Sequence, residues 1–208
     1  MNDGYIDVLS KISSSSPTPG GGSVAAMTLA HAHSLALMVS RLTLGKEKWL
    51  TGHKTASEVI ESSTTGLEYS LILADEDASA FDLVMDSYRL PRENDVQKSF
   101  RSESIISSTI NAAIVPLKIM RASSDFLESI MGLSRTGNSN ALTDLLGSCY
   151  LSQTSSKIAS LNVKINLDSL EDSLEKRNIS QEMETLLTLS AEKSSLIESI
   201  IRERLKWH

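Results

Sequence analysis

The sequence predicts an all-α fold, a bundle of about five long helices forming a single domain over residues 1–208. Three observations carry that expectation. Alternating Val, Thr and aromatic runs bounded by Asn-Gly or Asp-Gly turns, the signature of strands and hairpins, are nearly absent. Long stretches free of Gly and Pro carry apolar residues at helical spacing instead. Hydrophobic residues make up 40% of the chain and aromatics only 4%, which points to an interior of Leu, Ile, Ala, Val and Met. At 208 residues the chain can bury such a core without help from disulfides or a structural metal.

The elements follow in order. A short helix is expected near 6–13 and a long one over about 22–44, ended by Gly45 as C-cap, with the lysines of "LGKEKW" suited to the negative end of a helix. A second long helix runs over about 53–88 and closes at Leu90-Pro91, because the residue before proline is pushed out of the helical region. The third, over about 95–131, contains Pro116, so a kink or break is expected near 112–116. After the turn "RTGNSNA" a fourth helix covers about 142–161. The β-branched segment "NVKINL" (162–167) reads as an extended connector. The last helix, about 179–206, presents Met183, Leu186, Leu187, Leu189, Leu196, Ile197, Ile200 and Ile201 as an amphipathic stripe.

A net charge of −6 and the lack of any basic run leave no electrostatic drive toward nucleic acid. The apolar run from Val24 to Val39 is interrupted by Thr28, His31, His33 and Ser34 and falls short of a membrane span. The first residues, "MNDGYIDVL", lack the basic-then-apolar pattern of a secretory signal. The single cysteine, Cys149, excludes an intramolecular disulfide, suits a reducing compartment and reads as a small core residue. A cytoplasmic protein binding neither membrane nor nucleic acid is the expectation.

The second long helix carries Glu58, Glu61, Glu68, Asp75, Glu76, Asp77, Asp82 and Asp86 with no Lys or Arg between the first and the last. On a helical wheel Leu71, Ala74, Ala78, Phe81, Met85 and Tyr88 share one face. Asp77 lies on one margin of that stripe, Asp75 and Asp82 on the other, and Glu76 points away toward solvent. A carboxylate bordering buried surface has its pKa raised by desolvation, as general acid or base work near neutrality requires. The competing reading is a solvated face whose charge is met by lysines elsewhere in the bundle. A metal is not expected: no Glu-x-x-His motif occurs, and His31 and His33, two apart, face different directions.

Two prolines and three glycines in "SPTPGGGSV" open the first long helix, where unpaired N–H groups and the helix dipole suit an anion. No Gly-Lys-Ser/Thr follows and no strand precedes, so this is neither a P-loop nor a dinucleotide fingerprint. In order along the chain, "SPTPGGGSVAA", "LTLGKEKW", "LADEDASAFDLVM", "YRLPRE", "VPL", "GNSNALTDL" and "NVKINL" resemble the motifs of the formiminotransferase-cyclodeaminase C-terminal family. The resemblance spans about 16–167.

The resemblance implies a cyclodeaminase-like helical fold, a homodimer, and chemistry on the one-carbon unit of a tetrahydrofolate derivative, with or without a polyglutamate tail. It implies no cofactor beyond that substrate. Two activities go with the family: cyclisation of 5-formiminotetrahydrofolate to 5,10-methenyltetrahydrofolate with loss of ammonia, as in histidine degradation, and methenyltetrahydrofolate cyclohydrolysis. The cyclodeaminase is the leading expectation, the cyclohydrolase the second, and a non-catalytic helical interaction module the third. By the resemblance, Asp77 is the proton-transfer group and Asp75 its electrostatic partner or a pterin contact. Gly20, Gly21, Gly22 and Ser23 bring backbone close to the folate or to a partner helix. Lys46 meets the anionic glutamate tail, with Arg121 and Lys164 as less specific candidates. Asp82, Asn138 and Asp144 are further substrate contacts, the last two equally readable as helix caps. The formiminotransferase domain of the bifunctional relatives is not part of these 208 residues.

Overall fold

The computed structural model describes residues 4–207. Six α-helices follow in order: α1 Tyr5–Ile12, α2 Gly21–Leu44, α3 His53–Arg89, α4 Asp95–Thr136, α5 Leu142–Asp168 and α6 Leu174–Leu205. Short 3-10 turns, Glu47–Gly52 and Ser139–Ala141, join α2 to α3 and α4 to α5. Among the described residues no strand occurs, so the all-α expectation holds. The long α2 lies between α3 and α5; α4 packs on α3, α5 and α6, and α6 closes the bundle against α4 and α5.

Small residues let these helices approach closely. α2 buries Ala25, Ala26, Ala32 and Ala36 together with Ser23 and Ser40, and the Ser155 hydroxyl of α5 donates to the Ala25 carbonyl at 2.7 Å. By length and composition alone α2 and α4 would pass as membrane spans, but 61% of the most apolar window of α2 is buried against its neighbours, as in the core helix of a bundle. Cys149 is fully buried and its thiol meets the Ser194 hydroxyl at 3.3 Å, in keeping with a core role.

Three sequence expectations change. The segment 162–167 is helical, continuing α5 to Asp168. Val163 and Leu167 fall four apart into the core, and this burial outweighs weak intrinsic propensity. The amides of Asn162 and Asn166 also bond back to the Ile158 and Asn162 carbonyls at 3.0 and 2.8 Å, so they support the helix. Second, α4 runs unbroken through Pro116 to Thr136. Proline leaves the carbonyl four residues earlier, that of Ala112, without its helical donor; Asn166 Nδ2 supplies one at 2.9 Å. Third, α6 starts at Leu174, because the Ser173 side chain accepts from the Lys176 N–H and caps it.

The apolar face of α3 also differs from the wheel. Leu71, Phe81, Met85 and Tyr88 are exposed, whereas Ala56, Val59, Ser63, Ser70, Leu73 and Ala80 are buried. Where α2 comes close, the seam is filled chiefly by small side chains, with glycine opposite the larger Asp77 and His33, and Leu71, Phe81, Met85 and Tyr88 lie outside it.

Candidate active site

The α2–α3 seam builds the site. The first backbone bond of α2 runs from the Val24 N–H to the Gly20 carbonyl, so the N–H groups of Gly21, Gly22 and Ser23 have no helical acceptor. Into this end projects Asp77, half-buried on α3. The Ser23 hydroxyl lies 3.1 Å from Asp77 Oδ2 and 2.9 Å from the Ala74 carbonyl, tying the start of α2 to one turn of α3. A Cβ at residue 22 would overlap the Asp77 carboxylate, and one at residue 21 would come within 3.2 Å of Asn162 Nδ2 on α5. The glycines therefore make room for side chains of their own chain's α3 and α5.

Burial pushes the Asp77 carboxyl above the usual aspartate range, and the Ser23 hydroxyl and backbone N–H hold it partly down. The net effect is a carboxylate more basic than a solvated one, seated beside the Ser23 hydroxyl. Such a group accepts a proton from one atom of a bound substrate and returns it to another.

The remaining expected residues divide. Gly20, Gly21, Gly22, Ser23 and Asp77 come together. Asp75 and Asp82 are exposed; Asp75 lines a cleft between α3 and α4 with the buried Ala80 and Val115, away from the start of α2. Glu76, expected in solvent, is half-buried and pairs with Lys118 of α4 at 2.9 Å, so one of the α3 acids is met by a lysine across the bundle. Lys46 is exposed just beyond the C-terminal end of α2, about 35 Å along the helix from Gly21. Asn138 is buried near that far end: it donates to the Leu42 carbonyl at 3.1 Å and accepts from the Asn140 N–H at 3.0 Å, an arrangement that caps two elements. Asp144 sits half-buried in the first turn of α5, where the helix dipole favours an acid. Arg121 pairs with Glu182, and Lys164 is exposed.

Asn162 and Lys118 were not singled out as site residues. Asn162 lies in the "NVKINL" motif, and reading that segment as helix would have placed residues 162 and 166 on one face. Lys118 carries no local signal, because its partner is forty-two positions away.

The arrangement, a half-buried aspartate on one long helix meeting the glycine-opened start of another, sits in a fold of the cyclodeaminase class. The structure matches a crystal structure of formiminotetrahydrofolate cyclodeaminase from Thermotoga maritima with a TM-score of 0.84 at 24% identity, over 100% of this chain and 98% of that one. That likeness establishes the fold. The chain belongs to the formiminotransferase-cyclodeaminase family, whose model matches residues 5–185. It is 34% identical over 194 residues to the methenyltetrahydrofolate cyclohydrolase of Methylorubrum extorquens, covering 92% of this chain and 91% of that protein. It is 27% identical to the formimidoyltransferase-cyclodeaminase of Mus musculus, covering 93% of this chain but only 36% of that longer protein.

Proposed function

We propose that the protein acts on the carbon between nitrogen 5 and nitrogen 10 of a tetrahydrofolate derivative, with Asp77 as the proton-transfer group and methenyltetrahydrofolate hydrolysis as the leading reaction. The observation carrying this reading is the half-buried, raised-pKa Asp77 at the start of α2 in a chain of this family. Water adds to the cationic methenyl carbon while one of its protons passes to Asp77. The carbon–nitrogen 5 bond then breaks, Asp77 returns its proton to nitrogen 5, and the hydroxyl proton leaves to solvent, so the formyl group stays on nitrogen 10. Negative charge from Asp77 beside the bridge stabilises its cationic form.

Cyclodeamination is the second reading. Nitrogen 10 attacks the carbon of the protonated formimino group, Asp77 takes the nitrogen 10 proton and passes it to the amino nitrogen, and ammonia leaves to give the methenyl cation. The sequence motifs put this reaction first. The cyclohydrolase is placed ahead because the relative with that activity in its name is matched over nearly its whole length.

Lys46 is too far along α2 to meet the same pterin as Asp77 within one protomer, so its proposed partner is the end of a polyglutamate tail. A homodimer in the cytoplasm remains our reading of the assembly. The exposed Phe81, Leu83, Met85 and Tyr88 of α3 and Val96 and Phe100 of α4 supply apolar surface for a second copy.

Purified protein offered 5,10-methenyltetrahydrofolate and 5-formiminotetrahydrofolate in separate reactions tests the ordering. Decay of the methenyl chromophore faster than in buffer, without ammonia from the formimino compound, is expected. Methenyl formation with stoichiometric ammonia, and no acceleration of methenyl decay, would put the deaminase first.

A further inference from the structure

The α2–α3 seam holds a second glycine opposite a titratable side chain. Three turns along from Gly22 and Asp77, about 16 Å, the order is reversed: His33 on α2 faces Gly66 on α3, where any Cβ would overlap the imidazole ring. His33 is 5% exposed, and its Nδ1 is buried with no hydrogen-bond partner among the described residues. The ring packs edge-on to Phe126 of α4 with centroids 4.6 Å apart. Buried polar atoms are rarely left unpaired without a reason.

The imidazole lies at the floor of a cleft of about 690 Å³ between α3 and α4, a size in the range of small-molecule sites. Gly66, Ala122 and Phe126 give the floor an apolar surface, and the rim is charged. Lys118, Arg121 and Asp125 follow at i, i+3 and i+7 on one side of α4. Lys118 spends one donor on Glu76, and Arg121 uses Nε and Nη2 on Glu182, so both keep N–H groups for another acceptor. Asp125 makes no ion pair among the described residues, although it stands one turn from Arg121. Burial lowers His33 to a pKa of about 4, so near neutrality its ring is uncharged and offers one donor and one acceptor.

We propose that this cleft binds a small zwitterion with an aromatic side chain, an aromatic amino acid or a dipeptide ending in one. Its ammonium is held by Asp125, its carboxylate by Arg121 and Lys118, and its ring lies over Gly66 and Ala122 against the edge of Phe126, with a polar hydrogen or acceptor directed to His33 Nε2, the ring nitrogen that is not sealed from the cleft. The mixed rim selects a head carrying both charges, and the floor selects a flat body. The inference does not depend on the reaction assigned to Asp77.

Calorimetric titration with L-tryptophan, L-histidine and glycyl-L-tryptophan tests it, with tryptamine and indole-3-propionate as analogues lacking one charge each. At least one zwitterion should bind, the analogues should bind about tenfold more weakly, and His33→Leu and Asp125→Asn should each weaken binding about tenfold. Far-ultraviolet circular dichroism checks that the variants keep their helices; Asp125 is exposed, so its variant tests the rim even if the buried one unfolds. No binding by any zwitterion up to about 10 mM, equal binding by the single-charge analogues, or unchanged binding by Asp125→Asn would overturn the proposal.

Discussion

Asp77 owes its position to residue 22 having no side chain. Replacing Gly22 by Ala puts a methyl group where the carboxylate sits, so α3 must turn Asp77 away or α2 must move. We expect Gly22→Ala to keep its helical spectrum and lose about a hundredfold in kcat/KM, the scale of a displaced general base; undiminished turnover would remove Asp77's position from the account. Ser23→Ala removes an influence that lowers the Asp77 pKa. The active form of Asp77 as a base is the carboxylate, so activity falls as pH drops through its pKa. The acid limb of the pH–rate profile should therefore lie above the ordinary aspartate range in the parent and move higher still in Ser23→Ala. The acid-rich "DEDA" stretch and the family motif both single out Asp77 in the sequence, and the structure sets it against the start of α2. The reason for the glycines was not legible there: a glycine run announces a close approach without naming what approaches, and the occupant stands fifty-five positions away.

At the scale of elements, Pro116 and Asn166 form one unit. The proline frees the Ala112 carbonyl, and the Asn166 amide, reaching across from α5, satisfies it. Asn166→Ala should cost about 1–3 kcal/mol in chemical denaturation, the range for a buried acceptor left unpaired. With Pro116→Ala the helix regains its own donor, and the cost of Asn166→Ala should shrink; equal costs in both backgrounds would show the pairing to be energetically idle. The starts of α2, α3 and α4 and the Gly45 stop were readable because glycine, proline and capping residues act within a few positions. The last two turns of α5 and the intact α4 were not, since each depends on the other helix: read alone, "NVKINL" is β-branched and Pro116 is a breaker. The packed face of α3 was misjudged for a related reason. A wheel weights large apolar residues, whereas a close helix seam is made of Ala, Ser and Gly, and Leu71, Phe81, Met85 and Tyr88 lie outside it.

At the scale of the whole molecule, the bundle holds a carboxylate where burial disfavours its charge, so the role proposed for Asp77 and the stability of the fold oppose each other at one position. A carboxyl whose pKa is raised by folding contributes stability that is full below its unfolded pKa of 3.8 and is lost as pH rises through the folded value. Above the folded value, then, ionised Asp77 is a burden on the fold, and an uncharged isostere relieves it. Asp77→Asn is therefore the most direct test, read by turnover of methenyltetrahydrofolate and by thermal unfolding on the same preparation. The account predicts a loss of about a hundredfold or more in kcat, together with a Tm equal to or above the parent's at pH 7 and an advantage that vanishes toward pH 3. Parent-like turnover in a folded Asp77→Asn protein, or a Tm that falls at pH 7 and recovers in acid, would contradict it.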